Sequence, residues 1–309
     1  MITASEIPVG LSEQAALGPL WVDWLSRLPG AVSALLDEWG LRRDGDELWH
    51  GFESLVVPVL DRQGARAVLK VAFDGDDEGA QEALGLQHWH GRGSVRMLRA
   101  DPRRRAILLE RLTRRDLTTV DDDEACRVVA GLYGRLHVPA PGRLALLTTH
   151  LERWLDNLAG IPRDAPVPRR FVEQALSVGR DFLADTATVG VIVHGDLHHD
   201  NVLDFGPRGW LAVDPKGLIG ERGFDYANIF TNPDLARAEP PVAVRPERFL
   251  RRLDIVTEAA GLDRRRLLMW IVAWCGLSAA WFAEDGADMS IDLRVADLAA
   301  AELDRMGQG

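Results

Sequence analysis

The stretch VIVHGDLHHDNVLDF, residues 191–205, holds three of the chain's eight histidines and three aspartates. Two chemistries can use it. Imidazoles can cage a metal ion, or a loop can set one base and one metal ligand beside a substrate. Spacing separates the two. His194 and His198 stand four residues apart, which a helix would bring to one face. Gly195, however, follows His194 directly, and the run VGVIV (189–193) before it has a β pattern. A turn is expected there. Gly195 also occupies the place where the H-E-x-x-H zinc pattern needs glutamate, and no cysteine is near. The spacing argues against a cage.

Asp196 and Asn201 instead show the D-x-x-x-x-N spacing of a phosphoryl-transfer loop. In such a loop the aspartate accepts the proton of the attacking hydroxyl, and the asparagine amide oxygen binds Mg²⁺. NVLDF (201–205) and GWLAVD (209–214) read as a hairpin turning at Gly206–Pro207, which returns Asp214 to the loop as a second metal ligand. Asparagine and aspartate oxygens suit magnesium better than imidazole does. His194 is expected to orient the loop backbone, while His198 and His199 pack or hydrogen-bond locally.

The same chemistry requires a lysine on a strand and a carboxylate on the next helix to hold it. The chain has 34 arginines but only two lysines, Lys70 and Lys216. Coding bias explains such depletion. A lysine that survives it marks a place where a planar guanidinium does not substitute for a compact ammonium. Lys70 sits in AVLKVAF, flanked by apolar residues, which sets it apart from a solvated strand lysine. A helix is expected over 77–91, with Glu82 as the partner and Glu78, too near the helix start, as the competitor. The loop HGFESLVVPV (50–59), with Gly51 and Ser54, is placed to cover phosphates, although it lacks the G-x-G-x-x-G glycines. LLERL (108–112) would offer the backbone groups of Glu110 and Leu112 to adenine, a purely positional inference.

Strands are expected at 47–51, 54–60, 66–73, 94–101 and 105–112, with helices leading them over 13–39, interrupted at Pro29–Gly30. After residue 113 the pattern turns helical: 121–138, 147–158, 169–185, 224–231, 246–260, 264–283 and 291–305. The fold class is α+β, with a small antiparallel sheet lobe carrying one key helix (1–109) and a larger helical lobe (110–309) holding the catalytic loop.

Composition sets outer limits. The 309 residues are 47% hydrophobic and 27% charged, as in an ordinary folded protein of one or two domains. A net charge of -11 opposes a general nucleic-acid binder and suits a cationic ligand, though solubility alone also explains it. Cys126 and Cys275 form neither a disulfide framework nor a zinc knuckle, so a reducing cytoplasm is expected. MITASEIPVG lacks a basic region followed by an apolar run, so no signal peptide is expected. The uncharged run Leu267–Ala283 lies at the lower length limit for a bilayer span and reads as a buried core helix. No membrane partner is expected, and a monomer is.

The set VLK, EAL, LLERL and VHGDLHHDNVLDFGPRGWLAVDPKGLIGERGFDYANIF resembles the aminoglycoside/hydroxyurea resistance kinases over roughly residues 20 to 305. The likeness is nearest to streptomycin 6-phosphotransferases and most specific at 193–232. It implies a protein-kinase-like fold with ATP between two lobes. It implies Asp196 as catalytic base, Asn201 and Asp214 as magnesium ligands, and Lys70 as the phosphate-binding lysine. Asp225 would brace the catalytic loop or touch substrate. Lys216 would meet the γ-phosphate or pair with a carboxylate. The implied acceptor, streptomycin, carries two guanidinium groups, so a site for it should present carboxylates. Glu284, Asp285 and Asp288 at the end of the apolar helix, and Glu221, are the candidates; each could equally be a solvated surface acid. Another small hydroxyl metabolite is the alternative acceptor. Trp270, Trp274 and Trp281 have core spacing first and cation-stacking potential second.

Overall fold

Apolar alternation in SLVVPVL and RAVLKVA builds the centre of the first sheet. The structure is a computed structural model describing residues 2–75, 78–165, 167–186, 190–234, 241–284 and 287–307, with the side chains of Glu78 and Glu284 outside the description. The chain divides into two compact units, Met1–Thr113 and Arg114–Gly309. Within the first unit the sheet pairs as far along the chain as Glu110, opposite Ala67.

In the first unit the helices are α1 (Val9–Ser12), α2 (Pro19–Trp39) and α3 (Glu82–Trp89). The strands are β1 (Arg42–Arg43), β2 (Trp49–His50), β3 (Ser54–Leu60), β4 (Arg66–Ala72), β5 (Met97–Asp101) and β6 (Ala106–Glu110). They form one antiparallel sheet in the order β1-β3-β4-β6-β5, with β2 paired on β3. The β3–β4 turn is tied by Asp61 Oδ1, which accepts the backbone N–H groups of Gln63 and Ala65, each at 2.8 Å. Leu55, Val57 and Val59 of β3 and Ala67, Leu69 and Val71 of β4 pack with Trp24, Leu28, Val32 and Leu35 of α2. That alternation leaves Lys70 on the opposite face of the sheet from this core.

Two expectations change here. The leading helix does not break at Pro29–Gly30: α2 runs through Pro29, and the interruption falls at Gly18, whose φ is 135°. A proline inside a helix costs about 3 kcal/mol. Each large apolar side chain that α2 buries on the sheet returns roughly 1.5–3 kcal/mol. The helix expected over 77–91 opens as a 3-10 turn at Glu78–Gln81 and becomes α3 only at Glu82.

The second unit holds α4 (Asp122–Leu136), α5 (Leu147–Gly160), α6 (Arg169–Ala184), α7 (Arg222–Ala227), α8 (Pro246–Ala260), α9 (Arg264–Glu284) and α10 (Ser290–Gly307). Two small antiparallel pairs interrupt them: β7 (Val191–Val193) with β10 (Leu218–Gly220), and β8 (Val202–Asp204) with β9 (Trp210–Ala212). β10 lies outside the strands expected from sequence, because three residues carry too little periodicity to register. By length and composition α9 could cross a membrane. In the structure it is the core helix, packed by α5, α6, α7 and α10. Leu268, Trp270, Ile271 and Val272 are buried, and Trp270 stacks on Phe182 with centroids 3.7 Å apart. α6 approaches so closely that a Cβ on Gly276 would lie 2.3 Å from Ala175 Cβ.

Candidate active site

The β7 strand delivers the chain into the loop 194–201, and hydrogen bonds to backbone fix its shape. Asp225, on α7, accepts the N–H of His194 through Oδ2 and that of Gly195 through Oδ1, each at 2.7 Å. His137 Nε2 lies 2.9 Å from the same carboxylate, and the Tyr133 hydroxyl donates to the Asp225 backbone carbonyl at 2.9 Å. Gly195 has φ 86°, and a Cβ there would lie 2.9 Å from Lys216 Cβ, so only glycine fits.

His194 is fully buried, and both ring nitrogens are engaged. The Asp196 N–H donates to Nδ1 at 3.3 Å, which leaves the ring proton on Nε2, donated to the Val213 carbonyl at 3.0 Å. Burial lowers its pKa, against the opposing charges of Asp225, Asp196 and Asp214, and keeps the ring neutral. A buried imidazole with both nitrogens committed to backbone is no zinc ligand. His198 Nδ1 lies 3.9 Å from the Asp200 carboxylate, and His199 is buried.

Asn201 donates its side-chain N–H to the Asp196 backbone carbonyl at 2.8 Å. The amide nitrogen is thereby engaged, and the amide oxygen turns the other way as an acceptor. The β8–β9 hairpin then returns the chain: the Val213 N–H donates to the Asn201 carbonyl at 2.9 Å. Asp214 follows at once with φ 61°, a left-handed conformation uncommon for aspartate and frequent at functional sites. The Lys216 N–H donates to the His194 carbonyl at 2.8 Å, so Lys216 also borders the loop. Asn201 and Asp214 offer hard oxygen donors, the set that magnesium prefers.

In the first unit Lys70 Nζ lies 2.9 and 2.8 Å from the two carboxylate oxygens of Glu82, and both residues are buried. Ser54 is buried at the start of β3, and its carbonyl accepts the N–H of Gly51, closing the β2–β3 connection. Glu110 ends β6; its N–H donates to the Arg96 carbonyl at 3.0 Å and its carboxylate accepts the Arg96 N–H at 2.7 Å. Leu112 lies just beyond that strand.

The acceptor-side candidates differ from one another. The Asp225 side chain has no exposed surface, and both its carboxylate oxygens accept N–H groups of the loop. Glu221 holds a bidentate ion pair with Arg266, at 2.5 and 2.7 Å. Asp288 accepts the N–H and hydroxyl of Ser290, which hold its pKa below the usual value. Asp285 and the Glu284 side chain lie outside the described residues. Sequence reasoning missed His137, and it missed Asn228, whose Nδ2 lies 3.2 Å from Asp196 Oδ1. The signal for Asn228 was its place three residues after Asp225, on the same helical turn.

With this geometry in hand, comparison with known proteins identifies the lineage. The family model for aminoglycoside/hydroxyurea antibiotic resistance kinases matches residues 38–286. A streptomycin 3''-kinase of Klebsiella pneumoniae is 43% identical over 279 residues, covering 87% of this chain and 100% of its own. A streptomycin 6-kinase of Streptomyces glaucescens is 39% identical over 293 residues, 91% of each chain. Among solved structures, an aminoglycoside phosphotransferase mutant in ternary complex with ADP and hygromycin B superposes with a TM-score of 0.59 at 16% identity, covering 90% of this chain and 98% of that one. That likeness shows the protein-kinase-like fold. The chain is a small-molecule kinase and belongs to the aminoglycoside/hydroxyurea antibiotic resistance kinase family.

Proposed function

We propose that the protein transfers the γ-phosphoryl group of ATP to a hydroxyl of streptomycin, with Mg²⁺ as cofactor, and so confers resistance to the drug. The observation that carries this reading is the loop around Asp196: its backbone N–H and carbonyl are both pinned and its carboxylate is oriented, beside an asparagine whose amide nitrogen is bonded to the loop. In the reaction the acceptor oxygen bonds to the γ-phosphorus, the bond from that phosphorus to the β,γ-bridging oxygen breaks, and ADP leaves. Asp196 accepts the hydroxyl proton. Asn201 and Asp214 would hold Mg²⁺, whose charge neutralises phosphate oxygens when bound. Lys70, oriented by Glu82, takes the α- and β-phosphates. His194 keeps the loop in register. The hairpin loop before Ser54 covers the phosphates, and the backbone of Glu110 and Leu112 meets adenine. Catalysis of this kind is chiefly positioning and charge stabilisation.

Streptomycin is the acceptor that the names of both relatives support. Its guanidinium groups suit an acidic protein, with Glu284, Asp285 and Glu221 as the carboxylates we assign to them. For Glu221 that contact requires sharing with Arg266. We assign the 6-hydroxyl of the streptidine ring; the Streptomyces glaucescens relative is named a streptomycin 6-kinase. The second reading, the 3''-hydroxyl, is favoured by the higher identity to the Klebsiella pneumoniae relative. We place the enzyme in the cytoplasm, where ATP is supplied, as a monomer.

The test is ADP release by the purified protein with Mg-ATP against a panel of aminoglycosides, amino sugars and choline-like alcohols, with the product's phosphate located by NMR. Streptomycin should exceed every other acceptor by a wide margin, and Asp196→Ala should cut its turnover to a small residual rate while nucleotide still binds. Equal rates on a non-antibiotic alcohol would remove streptomycin from the reading. Near-normal turnover of Asp196→Ala would remove the base.

A further inference from the structure

The Asp196 carboxylate has a buried polar neighbour that the D-x-x-x-x-N pattern does not contain. We propose that Asn228 is a positioning residue for Asp196: its amide pins one carboxylate oxygen, so that the other faces the acceptor hydroxyl. The inference rests on the reading of Asp196 as the base.

A backbone carbonyl determines which end of Asn228 faces Asp196. A carbonyl only accepts, so the atom of Asn232 lying 3.0 Å from the Asn228 backbone oxygen is its NH₂ group. The same Nδ2 lies 2.8 Å from the Asn228 side-chain amide, and the atom it meets there is therefore Oδ1. The other end of that amide, Nδ2, points at Asp196 Oδ1 at 3.2 Å. Reversing Asn228 would set its oxygen against a carboxylate and its NH₂ against another NH₂.

The turn carrying Asn228 is itself held. The Thr231 hydroxyl donates to the Asn228 carbonyl at 3.2 Å, and Trp274 Nε1 donates to that hydroxyl oxygen at 3.4 Å. Arg252 Nη1 donates to the carbonyls of Ile229, at 2.9 Å, and Asn232, at 2.8 Å. Asn228, Thr231, Asn232 and Arg252 are all buried. The donor aimed at Asp196 therefore has a fixed direction. His194 and Asn201 fix the main chain of Asp196, and Asn228 fixes the rotation of its side chain. A base held in one orientation meets the acceptor hydroxyl in productive geometry more of the time than one that rotates.

The test is a kinetic cycle with Mg-ATP and streptomycin on Asn228→Ala, Asn228→Asp, Asp196→Ala and the double variant Asn228→Ala/Asp196→Ala. Loss of a hydrogen bond to a charged group should lower kcat of Asn228→Ala about ten- to hundredfold, with KM for ATP within about twofold of the parent. In the Asp196→Ala background the same substitution should change the residual rate by less than about twofold, because no carboxylate remains to be positioned. Asn228→Asp keeps the shape but replaces the donor with a like charge; its kcat should fall further than that of Asn228→Ala while nucleotide affinity is kept. An Asn228→Ala enzyme with more than half the parent kcat overturns the proposal. So does an equal loss in both backgrounds, which would mark a purely structural role. If Asp196→Ala itself stays active, the base assignment fails and this proposal with it. If Asp196→Ala loses nearly all turnover and Asn228→Ala keeps more than half the parent kcat, only the present proposal fails.

Discussion

His137 and Asp225 lie 88 residues apart in sequence and 2.9 Å apart in space, imidazole Nε2 to carboxylate. The contact ties the end of α4 to α7. Tyr133, one turn earlier, adds a second tie through its hydroxyl to the Asp225 carbonyl, and its ring stacks on His137 with centroids 4.6 Å apart. Because Asp225 receives the N–H groups of His194 and Gly195, the end of α4 supports the loop 194–201 through a single carboxylate. His137→Leu should therefore lower stability by about 1–3 kcal/mol in urea unfolding. It should reduce kcat more than it raises KM for ATP. His137→Gln, which retains an N–H donor, should recover part of both losses. Unfolding midpoints that coincide for parent and His137→Leu would show that the bond carries no load.

Lys70 and Glu82 form a buried ion pair in the first unit, each side chain 8% exposed. Breaking one half of such a pair strands the other charge, at a cost of about 3–5 kcal/mol. Glu82→Ala should be less stable than the parent by that order and should bind ATP weakly, because the ammonium loses its orientation. Lys70→Arg should not restore nucleotide binding, since a planar guanidinium cannot occupy the place of a compact ammonium. Calorimetric titration with ATP checks both statements. Parent-like affinity in Lys70→Arg would show that charge alone suffices.

Asp292, in the first turn of α10, is buried, and burial raises its pKa from 3.8 to about 7; the Ser278 hydroxyl opposes the shift and the Asp288 charge adds to it. The unfolded chain releases this proton near 3.8, and the folded chain holds it until about 7. Between those values the folded state binds the extra proton, so stability falls as pH rises through the window and levels off above it. The total is on the order of a few kcal/mol. Asp292→Asn should flatten this slope and should be more stable than the parent at pH 8, with the gap closing toward pH 4. Thermal melts of the two proteins across that range measure it. Parallel curves would place the pH dependence elsewhere.

What the sequence made legible follows from distance along the chain. Asp196, Asn201 and Asp214 sit within one loop and one hairpin, so spacing and a Gly-Pro turn were enough to bring them together. The pairing of Lys70 with Glu82 needed only a strand period and the start of the next helix. His137 left no such trace, and Asn228 only its place three residues after Asp225, because their contacts depend on where α4 and the turn after α7 pack, which local periodicity does not encode. Pro29 misled for the related reason that local propensity yields to burial.

Arg252, on α8, supports the deepest part of this packing. Its side chain has no exposed surface, and its guanidinium meets Asp122 on α4 through Nε at 3.0 and 3.1 Å and through Nη2 at 2.5 Å, while Nη1 holds the turn that carries Asn228. Burial alone would raise the pKa of Asp122, but the hydrogen bonds and charges of Arg252 and Arg248 outweigh it and hold the carboxyl below its usual value. Arg252→Met should cost about 3–5 kcal/mol, since it removes one of the two arginine partners of a largely buried carboxylate and leaves two buried carbonyls without their donor. Adding Asp122→Leu should restore part of that stability by removing a carboxylate left with Arg248 alone, yet it returns no donor to Ile229 or Asn232. The double variant should therefore be more stable than Arg252→Met while its kcat stays low. Denaturant unfolding and steady-state rates on the same samples separate the two effects. Recovery of kcat in step with stability would mean that Arg252 acts on the fold alone and has no hold on the turn beside Asp196.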